Sequence, residues 1–151
     1  MMNISSLRDL EKIVKKIIKI ISKGDVIFLY GEIGVGKTSF SRFFINNYEI
    51  KNNQNKSEVL SPTFNILFEY DIKNLLIKHY DLYRIKNKKD IKNLGIFENL
   101  KKNITLIEWP ELIDEKPLNR IDIYFKYSKN MKKRSLTIKL NGRLKKNEFK
   151  L

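Results

Sequence analysis

The chain has 151 residues, no cysteine and one histidine, which excludes a disulfide framework, a thiolate metal site and a histidine-based zinc centre. Its length suits a single domain over 1–151 with a core of its own, and no apolar run approaches the ~20 residues of a membrane span. The formal charge of +14, from 31 Lys and Arg against 17 Asp and Glu, fits either a polyanionic partner such as RNA or a general compositional bias. The lysines are spread along the chain beside many Asn and Ile, and clustering rather than bare charge marks a nucleic-acid site, so bias is preferred.

In chain order, Met1–Ser6 lacks the basic and apolar regions of a secretory leader, so a cytoplasmic protein is expected. Ser6-Leu7-Arg8-Asp9 fits a capping box. Behind it Leu7, Leu10, Ile13, Val14, Ile17, Ile18 and Ile21 fall at helical spacing, which predicts an amphipathic helix ending near Gly24. Val26–Tyr30 is a short apolar run suited to a buried parallel strand. A helix is expected from Ser39 to about Tyr48, then a polar loop to Ser57. Asn65–Tyr70 and Leu75–Tyr80 flank Asp71-Ile72-Lys73-Asn74 as an antiparallel hairpin. Asp90–Leu100 reads as a helix and Ile104–Ile107 as another buried strand. Beyond Pro117 the alternation of Ile121, Ile123, Phe125 and Tyr127, repeated by Leu136, Ile138 and Leu140, predicts a second hairpin turning at Ser128–Arg134. The Lys-rich tail after Gly142 is expected to fray. The fold class is α/β, P-loop NTPase-like, with a mixed central sheet flanked by helices and nucleotide at the carboxyl ends of the parallel strands.

Between the first strand and its helix stands Gly31-Glu32-Ile33-Gly34-Val35-Gly36-Lys37-Thr38, the G-x-x-x-x-G-K-[ST] phosphate loop. Its glycines let backbone N–H groups close around a polyphosphate, Lys37 reaches the terminal phosphates, and the Thr38 hydroxyl suits Mg²⁺. Chance supplies this string about three times in a thousand chains of this composition, and the strand–loop–helix order argues against a chance glycine turn. Ser39 extends the predicted contact. Glu108, after the apolar strand, and Asp81, after Leu75–Tyr80, are the two candidates to hold Mg²⁺ and to activate water, with their division of labour left open. Thr63, behind Ser61-Pro62, has the position of a switch threonine, and an ordinary X-Pro loop is the alternative. His79 alternates with Asp81 and suits a structural role, orienting Asp81. Trp109 on pattern alone covers core. Asn87-Lys88-Lys89-Asp90 matches the guanine-reading N-K-x-D string, but chance supplies it about forty times more often than the phosphate loop here, and no D-x-x-G precedes it. ATP is therefore preferred to GTP.

Four strings in this order carry a resemblance: Leu29–Thr38, Ser61-Pro62-Thr63-Phe64, His79-Tyr80-Asp81-Leu82-Tyr83-Arg84 and Glu108-Trp109-Pro110-Glu111. Together they resemble the bacterial tRNA threonylcarbamoyladenosine biosynthesis ATPases TsaE, also called YjeE. The match runs from the first helix to about Leu140. Ile33 and Val35 replace the usual Leu and Ala, and Ser39 stands where a second Thr is common.

The resemblance implies a weak cytoplasmic ATPase that serves the TsaD–TsaB pair, which transfers threonylcarbamoyl to adenosine 37 of tRNA. Whether tRNA is contacted directly is left open, indirect contact being the expectation, and neither DNA nor a membrane is expected as partner. It assigns phosphates to Lys37 and the loop amides, Mg²⁺ to Thr38 and Glu108, hydrolysis to Asp81, and a switch-like role to Ser61–Phe64. Trp109 and Arg134 would lie near the nucleotide, and the start of the first helix near Ser6–Arg8 would border the adenine. Two other classes compete. A small-molecule kinase needs an acceptor pocket and an Arg-rich lid, for which the chain has few Arg and no long insertion. A nucleotide-gated binding module would use hydrolysis only incidentally.

Overall fold

The structure, a computed structural model, describes residues 2–128 and 133–147. Its strands are β1 (Met2–Ile4), β2 (Val26–Tyr30), β3 (Leu67–Ile72), β4 (Leu75–Asp81), β5 (Asn103–Glu108), β6 (Arg120–Tyr127) and β7 (Arg134–Leu140). Its α-helices are α1 (Leu7–Ile20), α2 (Lys37–Lys51) and α3 (Lys88–Asn93). The strands form one seven-stranded sheet in the order β1-β7-β6-β2-β5-β4-β3. The four strands β6, β2, β5 and β4 run parallel, and β1, β7 and β3 are antiparallel additions at the two sides.

Two-sided burial explains why β2 is apolar throughout. Ile27 and Leu29 pack with Ile13, Ile17, Phe40 and Phe44 of α1 and α2, whereas Val26 and Phe28 pack with Tyr80, Ile91, Ile107 and Ile113. A strand covered on both faces favours apolar side chains at every position. The parallel register then brings four strand ends to one level: Leu29 and Asp81 both pair with Glu108, and Tyr30 pairs with Tyr124. Loops leaving this edge build the site.

The capping box forms as read: Asp9 N–H donates to Ser6 Oγ at 3.2 Å and Ser6 N–H to Asp9 Oδ2 at 3.1 Å. The helix stops at Ile20, short of Gly24. The side chain of Asp25 accepts from Ser22 N–H at 2.8 Å, a local turn that competes with the helix. Gly24, at φ +93°, serves that turn instead. In α2 the helix continues to Lys51, past the expected Tyr48, because Tyr48 and Glu49 are buried and Asn47 Nδ2 bonds Phe43 O at 2.8 Å. The first hairpin turns at Lys73-Asn74, tighter than expected, since Ile72 and Leu75 are register partners.

The expected helix over Asp90–Leu100 is only Lys88–Asn93, and Gly95 at φ +57° ends it. Its N-cap is Asn87, whose Oδ1 accepts from Asp90 N–H at 2.9 Å. The N-K-x-D string is therefore a helix start, which accounts for it without guanine. β1 was absent from the sequence reading, since three residues carry no usable period. Of the turn expected at Ser128–Arg134, residues 129–132 lie outside the described residues.

The tail after Gly142 departs from the expected fraying as far as Asn147. Gly142–Lys146 is a 3₁₀ turn whose Leu144 is fully buried. Arg143 donates to Ser22 Oγ at 2.6 Å and to the Asp25 carboxylate. Burial pushes the Asp25 carboxyl above the usual carboxylate range, against the opposing pull of the Ser22 N–H and Arg143. One apolar anchor and one ion pair thus hold a segment whose composition reads as solvated. Residues 148–151 lie outside the described residues. Leu144→Ala is expected to cost about 2–5 kcal/mol of stability in urea unfolding; a loss under about 0.5 kcal/mol, the surface range, would place this segment outside the core.

Candidate functional site

The Gly31–Thr38 loop leaves β2 and enters α2, and backbone geometry dictates its glycines. Gly31, Gly34 and Gly36 have φ of +140°, +73° and +120°, which side-chain-bearing residues rarely adopt. At Gly31 there is also no space: a Cβ would lie 2.8 Å from the Phe125 carbonyl oxygen. Tyr127 holds the loop from the same strand by donating its hydroxyl to Ile33 O at 3.3 Å. Gly36 is the N-cap of α2 and supplies no capping side chain, so the first N–H groups of the helix suit an anion.

Lys37 is almost fully buried and donates to Gly31 O at 2.6 Å and Glu32 O at 2.8 Å. Its ammonium also lies 3.9 Å from the centre of the Trp109 ring, a cation–π contact. Burial pulls the Lys37 ammonium below the ordinary lysine range, while Glu108, Asp81, Glu111 and Glu32 pull it back up.

The two carboxylates stand side by side on β4 and β5 and are buried, Asp81 at 3% and Glu108 at 2% exposure. Their partners differ. Glu108 accepts from the Thr38 hydroxyl at 3.0 Å and lies 2.8 Å from His79 Nε2. Asp81 accepts from Ser61 Oγ at 2.8 Å, Thr63 Oγ1 at 2.7 Å and Tyr83 N–H at 2.9 Å. His79 therefore meets Glu108, not Asp81 as the sequence suggested. The alternation along β4 was read correctly, but the neighbouring strand supplies the closer carboxylate.

A cavity of about 320 Å³ joins these groups. Ile33, Gly34, Gly36, Lys37, Thr38, Ser39, Ser61, Thr63, Asp81, Tyr83, Glu108 and Trp109 line it. Gly31 and Glu32 enter the site through carbonyls that face Lys37, and their side-chain positions do not line the cavity. Larger hollows of about 580 and 620 Å³ lie beside α3 and at the opposite edge of the sheet, but neither contains the glycine loop. Thr38 and Glu108 form a hard oxygen pair of the kind Mg²⁺ takes from a protein when phosphates and water complete its shell. Among the described residues no cluster of three or more His, Cys, Asp or Glu exists that would make an all-protein metal cage.

Trp109 does more than the core cover read from pattern, and Arg134, placed near the nucleotide by the resemblance, lines a different cavity. Trp109 packs partly on the second core cluster, yet its ring also faces Lys37 and lies 4.9 Å from that of Tyr83. It has a left-handed backbone, φ +60°, and its N–H donates to Leu29 O at 3.2 Å. Arg134 does not reach the 320 Å³ cavity. It lines a second cavity of about 250 Å³ with Ser5, Ser6, Leu7, Val35 and Phe125. Phe125, Tyr127 and Tyr83 were missed as site residues. Only Tyr83 carried a signal, its place two residues beyond Asp81.

Residues 4–136 match the family model described as threonylcarbamoyl adenosine biosynthesis protein TsaE. A relative in Rickettsia felis, named tRNA threonylcarbamoyladenosine biosynthesis protein TsaE, is 37% identical over 113 residues, 75% of this chain and 64% of its own length. A relative of the same name in Bacillus subtilis is 36% identical over 105 residues, 68% of this chain and 62% of its own length. The match thus spans somewhat under two thirds of these relatives. A crystal structure of Bacillus subtilis YdiB aligns with a TM-score of 0.72 at 27% identity, over 95% of this chain and 86% of that one. No helix among the described residues is long and apolar enough to cross a membrane.

Gly31→Ala should disrupt the loop through both its φ and the 2.8 Å approach to Phe125 O. The expected outcome is loss of nucleotide-analogue binding in calorimetry together with a lowered melting temperature. Unchanged binding would show that the loop does not depend on this close approach.

Proposed function

The chain belongs to the TsaE family, and on that premise we propose that it is a Mg²⁺-dependent ATPase supporting threonylcarbamoylation of tRNA adenosine 37. The observation that carries the reading is the convergence of Lys37, Thr38, Glu108 and Asp81 on one cavity at the phosphate loop. In this reading the protein acts in the cytoplasm with the TsaD–TsaB pair, which performs the transfer itself. The family description and the names of the relatives support the pathway; the resemblance in the four sequence strings supports the partner.

The chemistry follows from what each residue can donate or accept. The loop amides and the start of α2 bind the phosphates of ATP. Lys37 exchanges its bonds to Gly31 O and Glu32 O for phosphate oxygens. Thr38 and Glu108 hold Mg²⁺, which when bound neutralises charge developing on the phosphates. Asp81 faces the same cavity from the next strand and accepts the proton of the attacking water. Ser61 and Thr63, bonded to Asp81, report on the terminal phosphate. The 250 Å³ cavity beside Val35, bordered by Ser6 and Arg134, suits the adenine. Among the described residues no arginine lines the phosphate cavity, so the isolated protein hydrolyses ATP slowly and a partner completes the site.

A second reading draws on one observation, that Ser61 and Thr63 are tied to the carboxylate that faces the cavity. Such a linkage suits a nucleotide-gated binding module as well as an ATPase. Two variants separate the readings. Lys37→Ala should abolish ATP binding, and unchanged affinity would overturn the phosphate-loop assignment. Asp81→Asn should retain ATP-analogue affinity but lower hydrolysis about 10²–10⁴-fold. In a reconstituted reaction with TsaD–TsaB and tRNA, it should fail to sustain repeated rounds. Sustained multiple turnover by the Asp81 variant would decide for the gated module.

A further inference from the structure

The one histidine of the chain is fully buried on β4, with its Nε2 2.8 Å from Glu108 Oε1. The other carboxylate oxygen, Oε2, takes the Thr38 hydroxyl at 3.0 Å. Each oxygen of Glu108 therefore has its own fixed donor. Ser41 Oγ, 3.5 Å from Oε1, is at the limit of a hydrogen bond and fixes little by comparison. A carboxylate only accepts, so Nε2 carries the proton that faces it. Nδ1 is buried with no hydrogen-bond partner among the described residues.

That orphaned nitrogen decides between packing and positioning. A leucine or phenylalanine would fill a buried site without stranding a polar atom, which is unfavourable. What histidine adds here is the N–H directed at Glu108. Carboxylates that hold metals are themselves commonly held by outer hydrogen bonds that set their orientation.

We propose that His79 is a positioning residue for Mg²⁺ binding: its Nε2–H fixes the Glu108 carboxylate so that the second oxygen stays toward Thr38. The proposal rests on the reading of Thr38 and Glu108 as the metal-holding pair.

The test measures Mn²⁺ affinity by electron paramagnetic resonance with a non-hydrolysable ATP analogue. Analogue affinity in EDTA and melting temperature are measured alongside. The variants are His79→Gln, whose amide nitrogen reaches the depth of Nε2, His79→Asn, whose amide reaches only that of Nδ1, and Glu108→Gln. His79→Asn should weaken Mn²⁺ binding about 10–100-fold, whereas His79→Gln should stay within about 3-fold of the parent. Both should bind the analogue normally in EDTA. Stability lost equally by both amides leaves that comparison intact. Equal Mn²⁺ affinity in the two amide variants, with Glu108→Gln weakened, would overturn the role of His79 and leave the metal reading of Glu108 standing. Parent-like Mn²⁺ affinity in Glu108→Gln would overturn that reading, and the proposal with it.

Discussion

Two carboxylates buried side by side are the constraint around which this site is organised. The parallel register of β4 and β5 makes Asp81 and Glu108 direct partners at the end of both strands, nearly out of reach of solvent. Buried carboxylates persist only where donors replace water. Here the donors come from different parts of the chain: Ser61, Thr63 and the Tyr83 amide for Asp81, and Thr38 and His79 for Glu108. Satisfying the carboxylates therefore ties the 61–64 loop and the first turn of α2 to the sheet. The bonds that make the pair tolerable in the fold are the same bonds that give the cavity its shape.

The phosphate loop is held from the opposite direction by β6. The Phe125 carbonyl leaves no space for a side chain at Gly31, and the Tyr127 hydroxyl reaches Ile33 O. The loop thus lies between the β4–β5 carboxylates and the end of β6, with one cavity on each side. The first brings the charged groups Lys37, Asp81 and Glu108 together, and the second sets Ser5, Ser6 and Arg134 beside Val35, Phe125 and Leu10. The nucleotide proposed, with phosphates at one end and at the other a planar base that both packs and hydrogen-bonds, would suit the two together.

Much of this was legible because the informative residues are local strings. The glycine loop declares its own backbone, the capping box at Ser6 declares a helix start, and Val26–Tyr30 declares two-sided burial. Glu108 could be picked out because it ends an apolar run, and Asp81 because it ends a strand-like stretch. What the sequence withheld depends on which strands become neighbours. His79 and Asp81 share one side of a strand, so Asp81 looked like the natural partner. Only the β4–β5 pairing brings Glu108 to the imidazole. Phe125 and Tyr127 alternate like any core strand, and nothing local reveals that β6 lies beside the phosphate loop. Arg143 and Leu144 were hidden in a lysine-rich tail, where one buried leucine and one contact to a buried aspartate outweigh the composition.

Lys37 connects these constraints to the proposed reaction. Its ammonium is buried, bonded to two loop carbonyls and packed over Trp109. Burial depresses its proton affinity, and the two carboxylates partly restore it. Phosphate binding would have to break the carbonyl bonds, but it would supply anionic oxygens in their place, and charge-assisted bonds are the stronger kind. The exchange therefore favours the ligand without requiring the fold to open. Hydrolysis is a different demand, because charge that develops as the phosphoryl group leaves needs a donor beyond those that hold the ground state. Arg84 lies over the Phe64 ring and Arg134 lines the other cavity, so neither is among the groups around Lys37. In the proposed function, tight binding and slow turnover are then two consequences of one arrangement: a complete cradle for the phosphates, with the last cation left for a partner to bring.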